Sequence, residues 1–146
     1  MSPSRYGLHF HHFGLAAREE APARTFLEGL GYEVGELITD PLQKVRVSLA
    51  RAPGLPTVEL VLAAGEEGPL VNVLKRQETN IYHSCYTTQD AAAALAAIEA
   101  SGLQHLEVSA PKPAVLFGGR PVSFHYVSGF GLIELIHLRD AQDAVK

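Results

Sequence analysis

Residues 12–31 read HFGLAAREEAPARTFLEGLG and residues 83–102 read HSCYTTQDAAAALAAIEASG. Setting the two stretches side by side decides the architecture. Each starts on a histidine, passes through a strand-like segment into a helix, and stops on a glycine 19 positions later. In the first, Phe10 to Ala17 reads as a strand, and Glu19, Glu20, Ala21 and Pro22 suit the first turn of a helix. Ala23, Phe26, Leu27 and Leu30 then fall at i, i+3, i+4 and i+7, and Gly31 ends the amphipathic run. In the second, Ile81 to Thr87 reads as a strand, Asp90 as an N-cap, and the alanine-rich run Ala91 to Ala100 as a helix stopped by Ser101-Gly102.

The match continues outward. Val45, Val47 and Leu49 alternate within Lys44 to Ala50, and Thr57 to Leu62 predicts a further strand. Val122, Phe124 and Tyr126 alternate in the second half, and Leu132 to Leu138 predicts its last strand. Each half ends in an aliphatic–Glu–Leu–aliphatic strand, Val58-Glu59-Leu60-Val61 and Ile133-Glu134-Leu135-Ile136. His12 to Glu59 spans 47 positions and His83 to Glu134 spans 51, a difference that loops absorb. Between the halves, Gly68-Pro69 opens a short connector helix with Leu70, Val73 and Leu74 on one face. Two copies are too few for a solenoid, so two sheets sharing a cleft are expected.

Bulk composition narrows the class. At 146 residues, 47% hydrophobic and 19% charged, the chain reads as globular rather than disordered. A net charge of −4 argues against nucleic acid or an acidic membrane as a general partner, although Lys44/Arg46 and Lys75/Arg76 are local basic pairs. One cysteine, Cys85, excludes an intrachain disulfide and a Cys-based zinc knuckle. No apolar run approaches membrane-spanning length, and a soluble, cytoplasmic protein is expected.

Glu59 and Glu134 have aliphatic neighbours on both sides. A carboxylate in such a strand is costly to bury unless it is neutralised, paired or bound to metal. A single strand glutamate is ordinarily a surface residue, and a single histidine ordinarily structural. Four such residues in matched register make an N2O2 donor set: His12, Glu59, His83 and Glu134. That set suits one divalent ion, whether Ni, Co, Zn, Mn or Fe, with positions left for water. His9 and His11 fall on the other strand face from His12. His105, His125 and His137 have no counterpart in the other half and read as structural or exposed. Cys85 shares the strand face of His83 and reads as a small core residue. Gly118-Gly119 reads as a turn, because no helix follows it to cradle a phosphate.

The chain resembles the vicinal oxygen chelate superfamily (glyoxalase, bleomycin resistance, dioxygenase) from about Phe10 to His137. The segments that carry the likeness are His12-Phe13-Gly14-Leu15-Ala16, Leu30-Gly31-Tyr32, Gln43-Lys44-Val45, Val58-Glu59-Leu60-Val61, Tyr82-His83-Ser84-Cys85-Tyr86 and Gly131-Leu132-Ile133-Glu134-Leu135. It is most similar to small bacterial glyoxalase I and to methylmalonyl-CoA epimerase. The resemblance implies an α+β fold of two βαβββ modules in one domain over 1–146. The first module would cover 8–67, the connector helix 68–78 and the second module 79–138.

The same resemblance implies metal ligands at His12, Glu59, His83 and Glu134. The implied activity is an isomerase or lyase that moves a proton beside a carbonyl or thioester through an enediolate or enolate. Glu134 is then the catalytic base and Glu59 its counterpart on the opposite side. A fourth ligand at Glu59 sets the chain apart from the extradiol dioxygenases, which use two histidines and one carboxylate. The loop Val108 to Arg120 is expected to close over the substrate. The alternative is a non-catalytic ligand-binding member, drug-sequestering or biosynthetic accessory. A monomer holds all four residues, and because such modules often pair edge to edge a homodimer stays open.

Overall fold

The computed structural model describes residues 4–75 and 79–146. The end of the expected connector, 76–78, lies outside the described residues, and Arg76 of the second basic pair with it. The chain divides into two units, His12–Tyr82 on one hand and Met1–His11 with His83–Lys146 on the other. We call them the His12 unit and the His83 unit.

In the His12 unit, β1 (His9–Ala17, entering the unit at His12) leads to α1 (Glu20–Gly29). Then come β2 (Glu33–Val34), β3 (Ile38–Asp40), β4 (Val45–Arg51), β5 (Val58–Ala63) and the one-turn α2 (Leu70–Val73). The strand order is β2-β4-β5-β1, with β3 also on β4. β1 and β5 run parallel and β4 and β5 antiparallel. In the His83 unit, β6 (Thr79–Thr88, entering at His83) leads to α3 (Ala91–Ala100), β7 (His105–Pro113), a 3-10 turn at Val115–Phe117, β8 (Pro121–Val127) and β9 (Gly131–His137). The order is β6-β9-β8-β7; β6 and β9 are parallel and the other pairs antiparallel. Strand, helix and strands thus recur, as the repeat predicts. The short β2 and β3 pair with β4 at the edge position that β7 holds on β8, and have too few residues to show a period.

The matched glycines do the same work in both copies. Gly31, at φ 100°, donates its N–H to the Glu28 carbonyl at 3.0 Å while Tyr32 N–H reaches the Leu27 carbonyl at 3.0 Å. Gly102, at φ 88°, donates to Glu99 at 2.9 Å, and Leu103 reaches Ile98 at 3.4 Å. Both are paired six-to-one and five-to-two closures that satisfy orphan helix carbonyls, and both need left-handed backbone that glycine adopts without a Cβ clash. At the other end of α3, Asp90 caps as expected, its Oδ1 accepting the Ala93 N–H at 2.9 Å.

Each helix seals one face of its sheet. Leu60 and Leu62 pack with Ala17 and Ala23, and Leu27, Tyr32 and Ala50 extend that layer with Val58. In the His83 unit, Ile98 of α3 packs with Val127, Ile133 and Leu135. Since side chains alternate along a strand, filling the helix-side layer with Val58, Leu60 and Leu62 turns Glu59 to the other face. Ile133 and Leu135 do the same for Glu134.

One expectation is corrected. The stretch expected to be a loop, Val108 to Arg120, begins as strand: β7 runs to Pro113 against β8. Only the segment after it is loop. Seven of the nine β7 residues are exposed, so no burial period marked it. Pro111 and Pro113 are accommodated because β7 is an edge strand with register shifts at Glu107/Ser109 and Ser109/Lys112.

Candidate functional site

β1 lies beside β5 with Gly14 opposite Glu59, and His12 stands two residues before Gly14 on the same face. His12 Nε2 comes within 3.6 Å of Glu59 Oε1. β6 lies beside β9 with Cys85 opposite Glu134, and His83 stands two residues before Cys85. His83 Nε2 comes within 3.2 Å of Glu134 Oε1. The two units therefore build the same object: a parallel pair, a small residue facing the glutamate, and a histidine one pleat upstream. All four side chains are buried, His12 completely, and each carboxylate has an imidazole nitrogen as a close neighbour.

The His83–Glu134 pair has a further neighbour. The Phe124 ring of β8 stands edge-on to the His83 ring, centroids 5.3 Å apart at 86°, and Phe124 is directly across the strands from Glu134. Cys85 is fully buried, as a core thiol should be. His9 is exposed, and half-buried His11 sets its ring against Phe117 at 5.6 Å.

Three histidines without counterparts in the repeat turn out to share one place on the helix face of the His83 unit. Ser123 Oγ is 2.8 Å from His125 Nε2 and 2.8 Å from His137 Nε2. The His105 ring lies 6.2 Å from that of His125, and its Nε2 meets Glu99 of α3 at 2.9 Å. Burial pushes His125 below the ordinary histidine range, against the opposing pull of Glu107; the same two influences act on His137. Alternation along β8 and β9 carries the only sequence signal for this cluster, since it sets Ser123 and His125 on one face and His137 on the face of Leu135.

The C-terminal segment ties down the loop after β7. Arg120 grips Asp143 through Nε at 2.9 Å and Nη2 at 2.5 Å, and donates Nη1 to the Phe117 carbonyl at 2.8 Å. Arg120, followed by the Arg139 amide, holds Asp143 well below the usual carboxylate range. Gly118 and Gly119, both at positive φ, form the turn expected there. A groove of about 700 Å³ in the His12 unit, bordered by Phe13, Phe26, Leu30 and Ile81, lies on the α1 side and includes none of the four predicted ligands. Its walls are the part of the predicted α1 stripe that stays open: Phe26 and Leu30 are exposed, and only Leu27 is buried.

A family model, that of the glyoxalase/bleomycin resistance protein/dioxygenase superfamily, matches residues 11–124. The chain belongs to this superfamily. Solved structures agree on the glyoxalase-like fold. Methylmalonyl-CoA epimerase from Mycobacterium tuberculosis is 18% identical over 88% of this chain and 87% of its own, with a TM-score of 0.70. The hypothetical protein BH1468 from Bacillus halodurans C-125 is 17% identical over 94% and 99%, with a TM-score of 0.73. A variant of Streptomyces coelicolor methylmalonyl-CoA epimerase in complex with 2-nitronate-propionyl-CoA is 20% identical over 90% and 98%, with a TM-score of 0.68. No curated protein matches the chain. Among the described residues of this superfamily member, no helix is long and apolar enough to cross a membrane.

Proposed function

We propose that this superfamily member is a metal-dependent isomerase or lyase that moves a proton next to a carbonyl or thioester, of the glyoxalase I or methylmalonyl-CoA epimerase type. One observation carries the reading: the His12–Glu59 and His83–Glu134 pairs are built with the same strand offset, a small residue opposite each glutamate (Gly14 and Cys85), and burial of all four side chains. Two imidazole nitrogens and two carboxylate oxygens fit one divalent cation of the Ni, Co, Zn, Mn or Fe kind, and His12, Glu59, His83 and Glu134 are its proposed ligands. Such an ion supplies Lewis acidity toward a carbonyl oxygen.

The chain's own groups do the rest. Glu134 has Phe124 across from it and the His83 imidazole 3.2 Å from its Oε1, and its carboxylate is the group proposed to collect the proton. It takes the proton from the carbon beside the carbonyl and returns it to the neighbouring carbon in a glyoxalase-type reaction. In an epimerase, Glu59 and Glu134 serve opposite faces of one carbon. The acyl-CoA type draws support from the fold neighbours, one of which is solved with an acyl-CoA analogue. The single buried thiol, Cys85, is compatible with a reducing cytoplasm, and a homodimer is compatible with either chemistry.

Elemental analysis of tag-free protein should find one divalent metal per chain. In D2O, methylmalonyl-CoA should then gain deuterium if the enzyme is an epimerase, whereas the methylglyoxal–glutathione adduct should become a thioester if it is a glyoxalase. A metal-free protein whose melting temperature ignores added Ni, Co and Zn would instead mark a ligand-binding member of the same fold.

A further inference from the structure

Metal-binding histidines normally have a second group that fixes the ring, most often a hydrogen-bond acceptor on the free nitrogen. In the His83 unit an aromatic edge lies against the imidazole, beside the Glu134 carboxylate 3.2 Å from its Nε2. Phe124 stands perpendicular to His83 at 5.3 Å, within the range in which edge-to-face pairs are favourable beyond simple burial. The register then adds a second contact surface. Phe124 is the cross-strand partner of Glu134, so their side chains leave the same face side by side. One ring therefore borders both members of the His83–Glu134 pair.

Its neighbours on β8 point the other way. Ser123 and His125 belong to the helix-side cluster, so Phe124 takes no part in that network. Nor is it a core residue of the helix layer, which Ile98, Val127, Ile133 and Leu135 make up. It is half-buried, with part of its ring left open on the face that carries Glu134.

From this geometry we infer that Phe124 is a positioning residue: its ring holds the His83 imidazole in one orientation and keeps water from the flank of the His83–Glu134 pair. The inference rests on the metal reading for its consequence, though not for its first test. Losing the ring removes the contact on one flank of the His83 imidazole and loosens its orientation, so an incoming cation must supply the ordering that Phe124 otherwise provides. The carboxylate also gains water, which weakens its hold on a cation.

Three variants separate positioning from simple space filling. Phe124→Leu keeps most of the volume and loses the ring, Phe124→Tyr keeps the ring, and Phe124→Met guards against a leucine variant that fails to fold. In metal-free protein, long-range ¹H–¹⁵N spectra of the His83 ring should show one sharp set of resonances for the wild type and for Phe124→Tyr. Phe124→Leu and Phe124→Met should show shifted or broadened signals. By calorimetry, Co²⁺ and Zn²⁺ binding should weaken about 10-fold or more in the ring-less variants, the range usual for groups behind a metal ligand, and should recover to within about twofold in Phe124→Tyr. Unaltered His83 signals in folded Phe124→Leu or Phe124→Met would overturn the inference, and so would equal weakening in Phe124→Tyr. A wild-type protein that binds neither ion would sink the metal reading instead, while the ring spectra would still judge Phe124.

Discussion

Replacing Ser123 by alanine removes the hydroxyl that joins His125 to His137. The hydroxyl has one proton and sits 2.8 Å from both Nε2 atoms. It therefore donates to one ring and accepts from the other, which pins the two imidazoles in complementary tautomers. In Ser123→Ala both nitrogens lose this partner. The two rings are not equally placed to recover, since His125 is 2% exposed whereas half-buried His137 can find water. A buried polar atom left without a partner costs about 1–3 kcal/mol, and an ordinary bond replaced by water costs about 0.5–1.5 kcal/mol. The first range applies to His125 and the second to His137, giving a loss of about 1.5–4.5 kcal/mol. For a chain of this length, each kcal/mol lowers the melting temperature by roughly 2–4 °C, so a drop of about 3–18 °C is expected. Urea unfolding at pH 7.5 with Ser109→Ala as the reference measures it. A loss within about 0.5 kcal/mol, the scatter of ordinary surface substitutions, would refute the shared-hydroxyl account.

Three other outcomes follow from the same structure. His125 and His137 lie below their ordinary range because burial disfavours the charged ring, so the unfolded chain binds protons more readily. Stability is then full above about pH 6.5 and falls as the pH drops below it toward the folded values; urea midpoints across pH 7.5 to 5 should show this, with a shallower fall in His125→Gln. Glu134→Gln should abolish proton transfer, by about 100-fold or more in the deuterium assay, and should shrink the rise in melting temperature on adding metal; an undiminished rise would remove Glu134 from the proposed ligands. Gly102→Ala forces a side chain into the left-handed region at φ 88° and should cost about 1–2 kcal/mol, whereas Gly29→Ala, at negative φ within α1, should not.

Much of this protein was legible by counting. The equal spacing from His12 to Gly31 and from His83 to Gly102 names the two helix stops, because a left-handed C-terminal closure admits glycine at one position only. The alternation in Val58-Glu59-Leu60-Val61 and Ile133-Glu134-Leu135-Ile136 sets both glutamates opposite the helix layer, because a pleated strand has a period of two. These are local rules, carried by residues a few positions apart. The pairing of each glutamate with its own histidine follows once β1 is laid along β5 and β6 along β9.

Pairings between elements that share no period had to wait for the fold. β7 is exposed along most of its length and carries two prolines, so only its partner β8 makes it a strand. The His105, His125 and His137 cluster joins three strands and Glu99 of α3, and its members are too far apart in sequence for any pattern to link them. Phe124 reads from the sequence as one more apolar residue of an alternating run; its place beside His83 and Glu134 comes from the order β6-β9-β8. The sequence by itself determined which residues could serve a paired His/Glu chemistry, because periodicity encodes burial. Tertiary structure alone decided which side chains support them, because strand neighbours are chosen over distances that no local period records.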